Sequence, residues 1–423
     1  MVNVNDYIRN TDNDSIEAAI AALDKDGVLV IEPRVSDIEP ERDYWLLDRA
    51  ILLPENVTVI IRNCMIKLSD RCRDNFFRSA NCGMGLGDPV KFKNIHIKGE
   101  GSAVLQGADH PRAAGDDSKT LACPCPYEDE DLIKYAYWVD EDRKQSGKLT
   151  FWDKHGWSYG TDAGKEGEYQ KGDWRGIGIL FANVENFSIS GIKIVESHGW
   201  GISLEACSFG RVEKIEFDMC MSKVIDGMRM NMENQDGIDL RNGCHHITVS
   251  DISGRTGDDI VALTAIAGDG AMPGGTVDSV QVMHTDWTRR ESGIHHVVIR
   301  NITAYSNLCY NIRLLACNTQ IHDVIIDGVI DSMPDDMNMD HFGTILLGER
   351  DAAYGENLKN GISKVTVSNV ICRGRTAIKV GGYLNDSVIT NVINENPNCP
   401  VITVERENGL QNVATSNLIS FTK

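Results

Sequence analysis

A chain of 423 residues that is 42% hydrophobic carries enough apolar material for a packed core, which excludes wholesale disorder. Acids outnumber bases 62 to 42, for a formal net charge of -20, and this opposes nucleic-acid binding and attraction to anionic membranes, both of which need a basic footprint. No run approaches the length of apolar residues that a membrane-spanning helix requires.

The N-terminal stretch MVNVNDYIRN has no basic segment followed by an apolar core, so a cytoplasmic location is expected, or secretion if a leader has been removed. Residues 15–23, SIEAAIAAL, follow a run of Asp and Asn and read as a short helix capped by that polar run. Residues 1–30 are thus expected to cap one end of whatever follows and to shield a strand edge. Residues 108–173 share no period with the rest and are rich in Tyr137, Trp138, Trp152, Trp157 and Tyr159. Such an irregular insertion suits a loop that lines or covers a binding groove, or an oligomer contact. The twelve cysteines are scattered without framework spacing, and the CPC at 123–125 is too tight for a zinc CxxC. They read as buried or idle thiols.

From residue 180 onward the chain repeats itself. A strand-like phrase recurs as NFSISGI (186–192), HITVSDI (246–252), HVVIRNI (296–302), DVIIDGV (323–329), KVTVSNV (364–370), SVITNVI (387–393) and NVATSNL (412–418). A second phrase is interleaved: GISL (201–204), GIDL (237–240), IVAL (260–263), NIRL (311–314), AIKV (377–380) and VITV (401–404). Ile238 and Val261 are 23 residues apart and Ile378 and Ile402 are 24 apart, while the longer gap from Val261 to Ile312 reads as two coils with Val280-Gln281-Val282 as the missing rung. Two interleaved strands at this period predict an all-β, right-handed parallel β-helix forming a single domain over 1–423.

Stacking gives the polar residues before these strands a meaning. With GIDL and IVAL on neighbouring coils, Asn234-Gln235-Asp236 lies over Gly257-Asp258-Asp259 at the strand spacing of about 4.8 Å. Asp236, Asp258 and Asp259 then converge on the outer wall, with Gly257 permitting the bend that lets adjacent acids face out together. Like charges this close raise at least one pKa, and a proton donor beside carboxylates that activate water is the equipment of glycoside hydrolysis. The bland alternative is that these aspartates cap turns. His198 and Trp200, in ESHGWGISL one coil earlier, stand where an aromatic ring could stack on a sugar. The histidine pairs at 245–246 and 295–296 read as surface or turn residues, because adjacent side chains diverge in a strand.

NQD at 234–236 followed by GDD at 257–259 resembles the catalytic pattern of glycoside hydrolase family 28, the polygalacturonases, and the strand phrases extend the resemblance over roughly 180–420. The segment DSIEAAIAAL…GVLVIEP is similar to that family's opening segment. The resemblance implies an inverting hydrolase with Asp258 as general acid and with Asp236 and Asp259 holding and deprotonating the attacking water, beside substrate-binding Asn234 and Gln235. The family's Gly-His-Gly element has no match in GTVDSVQVM (275–283), where His284 is the nearest histidine. Its Arg-Ile-Lys element falls on Arg313-Leu314-Leu315, which keeps the arginine and replaces the lysine, with Lys379 as a substitute clamp on a substrate carboxylate. The expected substrate is an oligosaccharide, uronate-containing or related, with no cofactor and no metal; self-association is left open. A lyase, epimerase or transferase on the same scaffold, and a non-catalytic glycan-binding helix, are the alternatives.

Overall fold

The computed structural model describes residues 1–421 apart from 25–26, 73, 84–87, 110–172, 221, 226–227, 232–234, 268–281, 284–290, 335–341, 350–356 and 398. The aromatic insertion, the CPC motif, Asn234, Val280, Gln281 and His284 lie outside the described residues.

The chain winds as a right-handed parallel β-helix. Long strands such as His245–Thr256, Ile294–Ser306, Ile321–Asp331 and Ile362–Cys372 stack in one parallel sheet, and short strands such as Ile202–Glu205, Ile238–Arg241, Val261–Ile266 and Tyr310–Cys317 stack in a second. Each inward position forms a column. On the short sheet, Ile179, Ile202, Ile238, Val261, Ile312, Ile345, Ile378 and Ile402 pair in sequence from coil to coil. On the long sheet, Ile97, Ile189, Val212, Val249, Ile299, Ile326, Val367 and Ile389 do the same. One continuous core results, running from Val4 to Val401, and each buried Ile or Leu contributes about 1.5–3 kcal/mol.

The long strands turn corners without leaving the ladder because each carries left-handed residues. Asp251, Asn301, Asn369, Asn391 and Asn417 all have φ between 52 and 58°, a conformation that Asn and Asp tolerate best among non-glycine residues. Their side chains then bond along the stack: Asn417 Nδ2 donates to Asn391 Oδ1 at 2.9 Å, and Asn391 Nδ2 to Asn369 Oδ1 at 3.2 Å. The Asn or Asp that closes each sequence phrase is therefore a corner.

Four expectations need correction. The helix spans Asp12–Ala21, starting before Ser15, because the Thr11 hydroxyl is the cap and accepts the Asp14 N–H at 3.1 Å. Only one coil separates Val261 from Ile312, since the two pair directly. Val282 and Met283 lie against the outer wall instead, their N–H groups donating to the Glu205 carboxylate at 3.0 and 3.1 Å. Within the repeat that begins at 186, two further rungs had escaped the pattern, Ser208–Asp218 on the long sheet and Gly343–Leu347 on the short one, and earlier rungs such as Val57–Arg62 and Phe92–Glu100 had escaped it too. Ten cysteines are described, seven of them buried, and among the described residues no two are joined by a disulfide.

The rung at 208–218 escaped because its inward column position is Gly210, stacked beneath Phe187. A Cβ on Gly210 would stand 2.0 Å from the Phe187 ring, so one aromatic fills the volume of two rungs. Gly210→Val is expected to destabilise by about 1–3 kcal/mol through overpacking, and adding Phe187→Ala should restore part of the loss. Urea unfolding midpoints check this; a Gly210→Val chain as stable as the parent would contradict the shared-volume account.

Candidate active site

Two segments at the corner between the sheets build the site. Gln235-Asp236-Gly237 leads into the strand Ile238–Arg241, and Gly257-Asp258-Asp259-Ile260 leads into Val261–Ile266. The ladder continues through the corner, with the Gly237 N–H donating to the Asp259 carbonyl at 2.8 Å and the Ile238 N–H to the Ile260 carbonyl at 2.9 Å. Asp236 and Asp259 are thus lateral neighbours, as the 23-residue offset requires. The N–H groups of Gly257 and Asp258 both donate to the Gln235 carbonyl, at 3.1 and 3.2 Å. Gly257 has no left-handed φ; its lack of a side chain serves space, since a Cβ there would lie 3.1 Å from Gln235 Cβ.

Adjacent Asp258 and Asp259 occupy different environments. Asp259 is fully buried: its Oδ1 accepts the Tyr310 N–H at 2.9 Å, and its Oδ2 lies 3.3 Å from Arg313 Nη1. Asp258 is half-buried. Its Oδ1 accepts the Asp259 N–H at 2.9 Å, while the hydroxyls of Thr256 and Ser306 hold its carbonyl at 2.5 and 2.8 Å. Carboxylate oxygens of the two acids lie within 4.8 Å of one another and of Cys309 Sγ.

Arg313 reaches Asp259 because a single rung separates them; a second rung in between would have put it out of range. Its column on the outer wall runs Ser203, Asp239, Ala262, Arg313, Leu346, Lys379. Glu349 closes on the other side of the Arg313 guanidinium as an ion pair, carried there by Gly348 at φ 72°.

Burial foremost, and then crowding, raises the pKa of these acids. Burial pushes the Asp236 carboxyl well above the usual range, the charges of Asp258, Asp239 and Asp259 push it further, and Arg313 opposes them. Burial likewise raises Asp239 well above its ordinary value, against Arg241. Asp259 is raised to about 7, by burial foremost, with Arg313 and the Tyr310 N–H pulling it back.

The remaining sequence candidates divide. Trp200 is partly exposed on the outer face, its indole under the Arg241 guanidinium at 4.8 Å, beside the apolar outer-wall residues Leu180 and Ala182. His198 does not reach the site: it is buried in the wall, Nε2 accepts the Ala108 N–H at 3.0 Å, and burial holds its pKa down at about 3. Gln235 also turns inward, its Nε2 donating to the Ser197 carbonyl at 2.6 Å. Lys379 is ion-paired to Glu405 at 2.8 Å, two rungs beyond Arg313. Asp239, Tyr310 and Glu349 went unread. Asp239 was visible as the outward letter of GIDL; Glu349 had no signal, because it follows a rung the pattern did not show.

The architecture is that of a parallel β-helix carrying a cluster of carboxylates at one corner of its outer wall. No protein-family model matches the sequence, and no curated protein matches it. Among solved structures, a hyperthermoactive exopolygalacturonase from Thermotoga maritima is 14% identical, with a TM-score of 0.56 over 99% of this chain and 91% of that one. A mutant tailspike protein of E. coli bacteriophage HK620 is 15% identical, with a TM-score of 0.50 over 99% of this chain and 66% of that one. Both likenesses are likenesses of fold.

The buried acids make stability fall with pH. A folded-state pKa above the unfolded value means the folded chain holds its proton more tightly. The penalty is therefore absent below the unfolded value of about 3.9, and grows as pH rises from there through the raised folded value. Asp239 Oδ2 is buried with no hydrogen-bond partner among the described residues, so Asp239→Asn is expected to raise stability at neutral pH by ~1 kcal/mol and to gain nothing in acid. Unfolding titrations across pH check this; equal or lower stability at neutral pH contradicts it.

Proposed function

We propose that the protein is a glycoside hydrolase that cleaves an oligosaccharide with inversion, using Asp258 as general acid and the Asp236–Asp259 pair to hold and deprotonate the attacking water. The observation that carries this reading is the meeting of three carboxylates on two adjacent rungs, one half-buried and two buried beside a cation. The fold shared with the Thermotoga exopolygalacturonase supports the same class of chemistry. Asp258 is the most accessible of the three acids, as a group must be that protonates a leaving oxygen. Asp236 is pushed up by burial first and then by the charges of Asp258, Asp239 and Asp259, so an ionised Asp259 favours a protonated Asp236. Asp259 is the better anion, because Arg313 Nη1 and the Tyr310 N–H both stabilise its charge, so Asp259 takes the proton of water while protonated Asp236 helps orient it. Trp200 offers an apolar face for a sugar ring.

The same geometry bears on the substrate. The Arg313 guanidinium is engaged by Asp259 and Glu349, and Lys379 by Glu405. Neither is set up to clamp a substrate carboxylate, and the surrounding acids would repel one. A neutral sugar at the cleaved linkage fits better than a uronate.

Screening neutral and uronate oligosaccharides with the parent chain and Asp258→Asn tests this reading, with the product anomer followed by NMR. Neutral sugars should be cleaved faster, with inversion, and Asp258→Asn should lower kcat by about 10²–10⁴. Retention of configuration would overturn the mechanism, and an unchanged product profile in Asp258→Asn would favour a non-hydrolytic, glycan-binding role.

A pH profile probes the base. If Asp259 must be ionised, kcat/KM rises with pH through about 7. Arg313 holds that pKa down, so Arg313→Leu should shift the acidic limb to higher pH. A limb that stays in place would remove Asp259 from the base role.

A further inference from the structure

On the outer face of the long sheet, away from the carboxylates, five histidines meet. His245, His295 and His322 occupy one column on three successive rungs. Their rings stack nearly parallel, with centroids 5.0 Å apart for His245 and His295 and 5.2 Å apart for His295 and His322. His246 and His296 form a second column, with rings 4.5 Å apart and 5° from parallel.

Adjacent histidines should diverge in a regular strand, and here they do not. His246 and His296 have φ of 54 and 55°, and this left-handed step breaks the alternation and swings each ring back toward its neighbour. Nδ1 of His245 lies 2.9 Å from Nδ1 of His246, and Nδ1 of His295 lies 2.8 Å from Nδ1 of His296. One nitrogen of each pair must carry the hydrogen while the other offers its lone pair. Donor nitrogens of His246, His295 and His296 all lie within 4.8 Å of one another.

We propose that His246, His295 and His296 form a binding site for a divalent transition metal of the imidazole-preferring kind, Zn²⁺, Cu²⁺ or Ni²⁺. Ligand type favours these ions over Mg²⁺ or Ca²⁺, which require oxygen. Zn–N bonds of about 2.0–2.1 Å in a tetrahedron place ligand nitrogens roughly 3.3 Å apart. The His295–His296 nitrogens at 2.8 Å need to open only slightly, and His246 supplies the third ligand, leaving a position for water. Two of the three rings are exposed and the third is half-buried, so an ion can enter without unfolding the wall. At the far end of the ladder, His322 Nδ1 is occupied by Asp323 Oδ2 at 2.7 Å, which places it outside the ligand set. The site is independent of the hydrolase reading.

Because the ligands come from two rungs about fifty residues apart in sequence, a bound ion cross-links the stack, and binding to the folded state alone raises thermal stability. The full-length chain is titrated with Zn²⁺ at neutral pH against a chromophoric chelator, and its melting temperature is followed with and without the ion. One equivalent is expected to bind at micromolar concentration with a rise in Tm. His246→Gln and His296→Gln should each weaken binding by at least about tenfold and abolish the Tm rise, while His322→Gln keeps both. Cu²⁺ should bind the parent chain with nitrogen hyperfine structure in its EPR spectrum. No saturation below the millimolar range, or affinity retained within that tenfold in either His246→Gln or His296→Gln, overturns the proposal. All three variants lie on the outer wall, away from the acids, and glycosidase activity is expected to be unchanged.

Discussion

The parallel register between coils is the constraint on which the rest of the molecule depends. Once Ile238 is bonded beside Val261 and Val261 beside Ile312, every outward residue stands about 4.8 Å from its counterpart on the next rung. Side chains have little freedom to avoid one another. Like must stack on like, and whether this stabilises depends on chemistry. The Asn column gains hydrogen bonds between neighbouring rungs, as between Asn417, Asn391 and Asn369. The aliphatic columns gain burial. The carboxylates at 236 and 259 gain nothing from each other.

On the proposed reading, that difference marks the acid corner as a place where folding and function oppose one another. Asp236 and Asp259 are both buried, and Asp239 stands buried one strand position beyond Ile238. Arg313 offsets only part of the crowding, since Glu349 shares its guanidinium. A structural corner would use Asn here, as the long sheet does. Buried carboxylates that remain protonated against their ordinary tendency are what acid–base chemistry near neutral pH requires, and the rigid stack is what keeps them from relaxing apart.

The period was legible in most rungs whose inward residue is aliphatic, though not at Gly343–Leu347, and the offset between Asp236 and Asp259 followed from it directly. It faded where volume was shared: Gly210 carries no apolar letter because Phe187 above it fills the space. Counting rungs by sequence distance failed between Val261 and Ile312, because the two pair directly and the chain between them adds no rung to the short sheet. For the same reason Arg313, picked out by the resemblance, was expected one rung too far from Asp259, and the ion pair between them was not foreseen. Local geometry was the least legible. The period places His198 and Gln235 beside the site, but only their hydrogen bonds, to the Ala108 N–H and the Ser197 carbonyl, show that they turn into the wall.

The alternation rule failed in an informative way at both polar clusters. At Asp258 and Asp259, and again at His245–His246 and His295–His296, neighbouring residues that a strand would send to opposite faces end up together. In the first case the chain is turning from one sheet into the other; in the second a left-handed residue interrupts the strand. Each device doubles the number of side chains a rung delivers to one spot, and stacking across rungs doubles it again. A β-helix thereby concentrates three or four like groups using only two coils, on a wall whose ordering entropy is already met by the core. Such places are visible as doubled polar letters beside the strand phrases, and the same stacking rule that crowds carboxylates at one corner brings imidazole lone pairs within reach of a single ion.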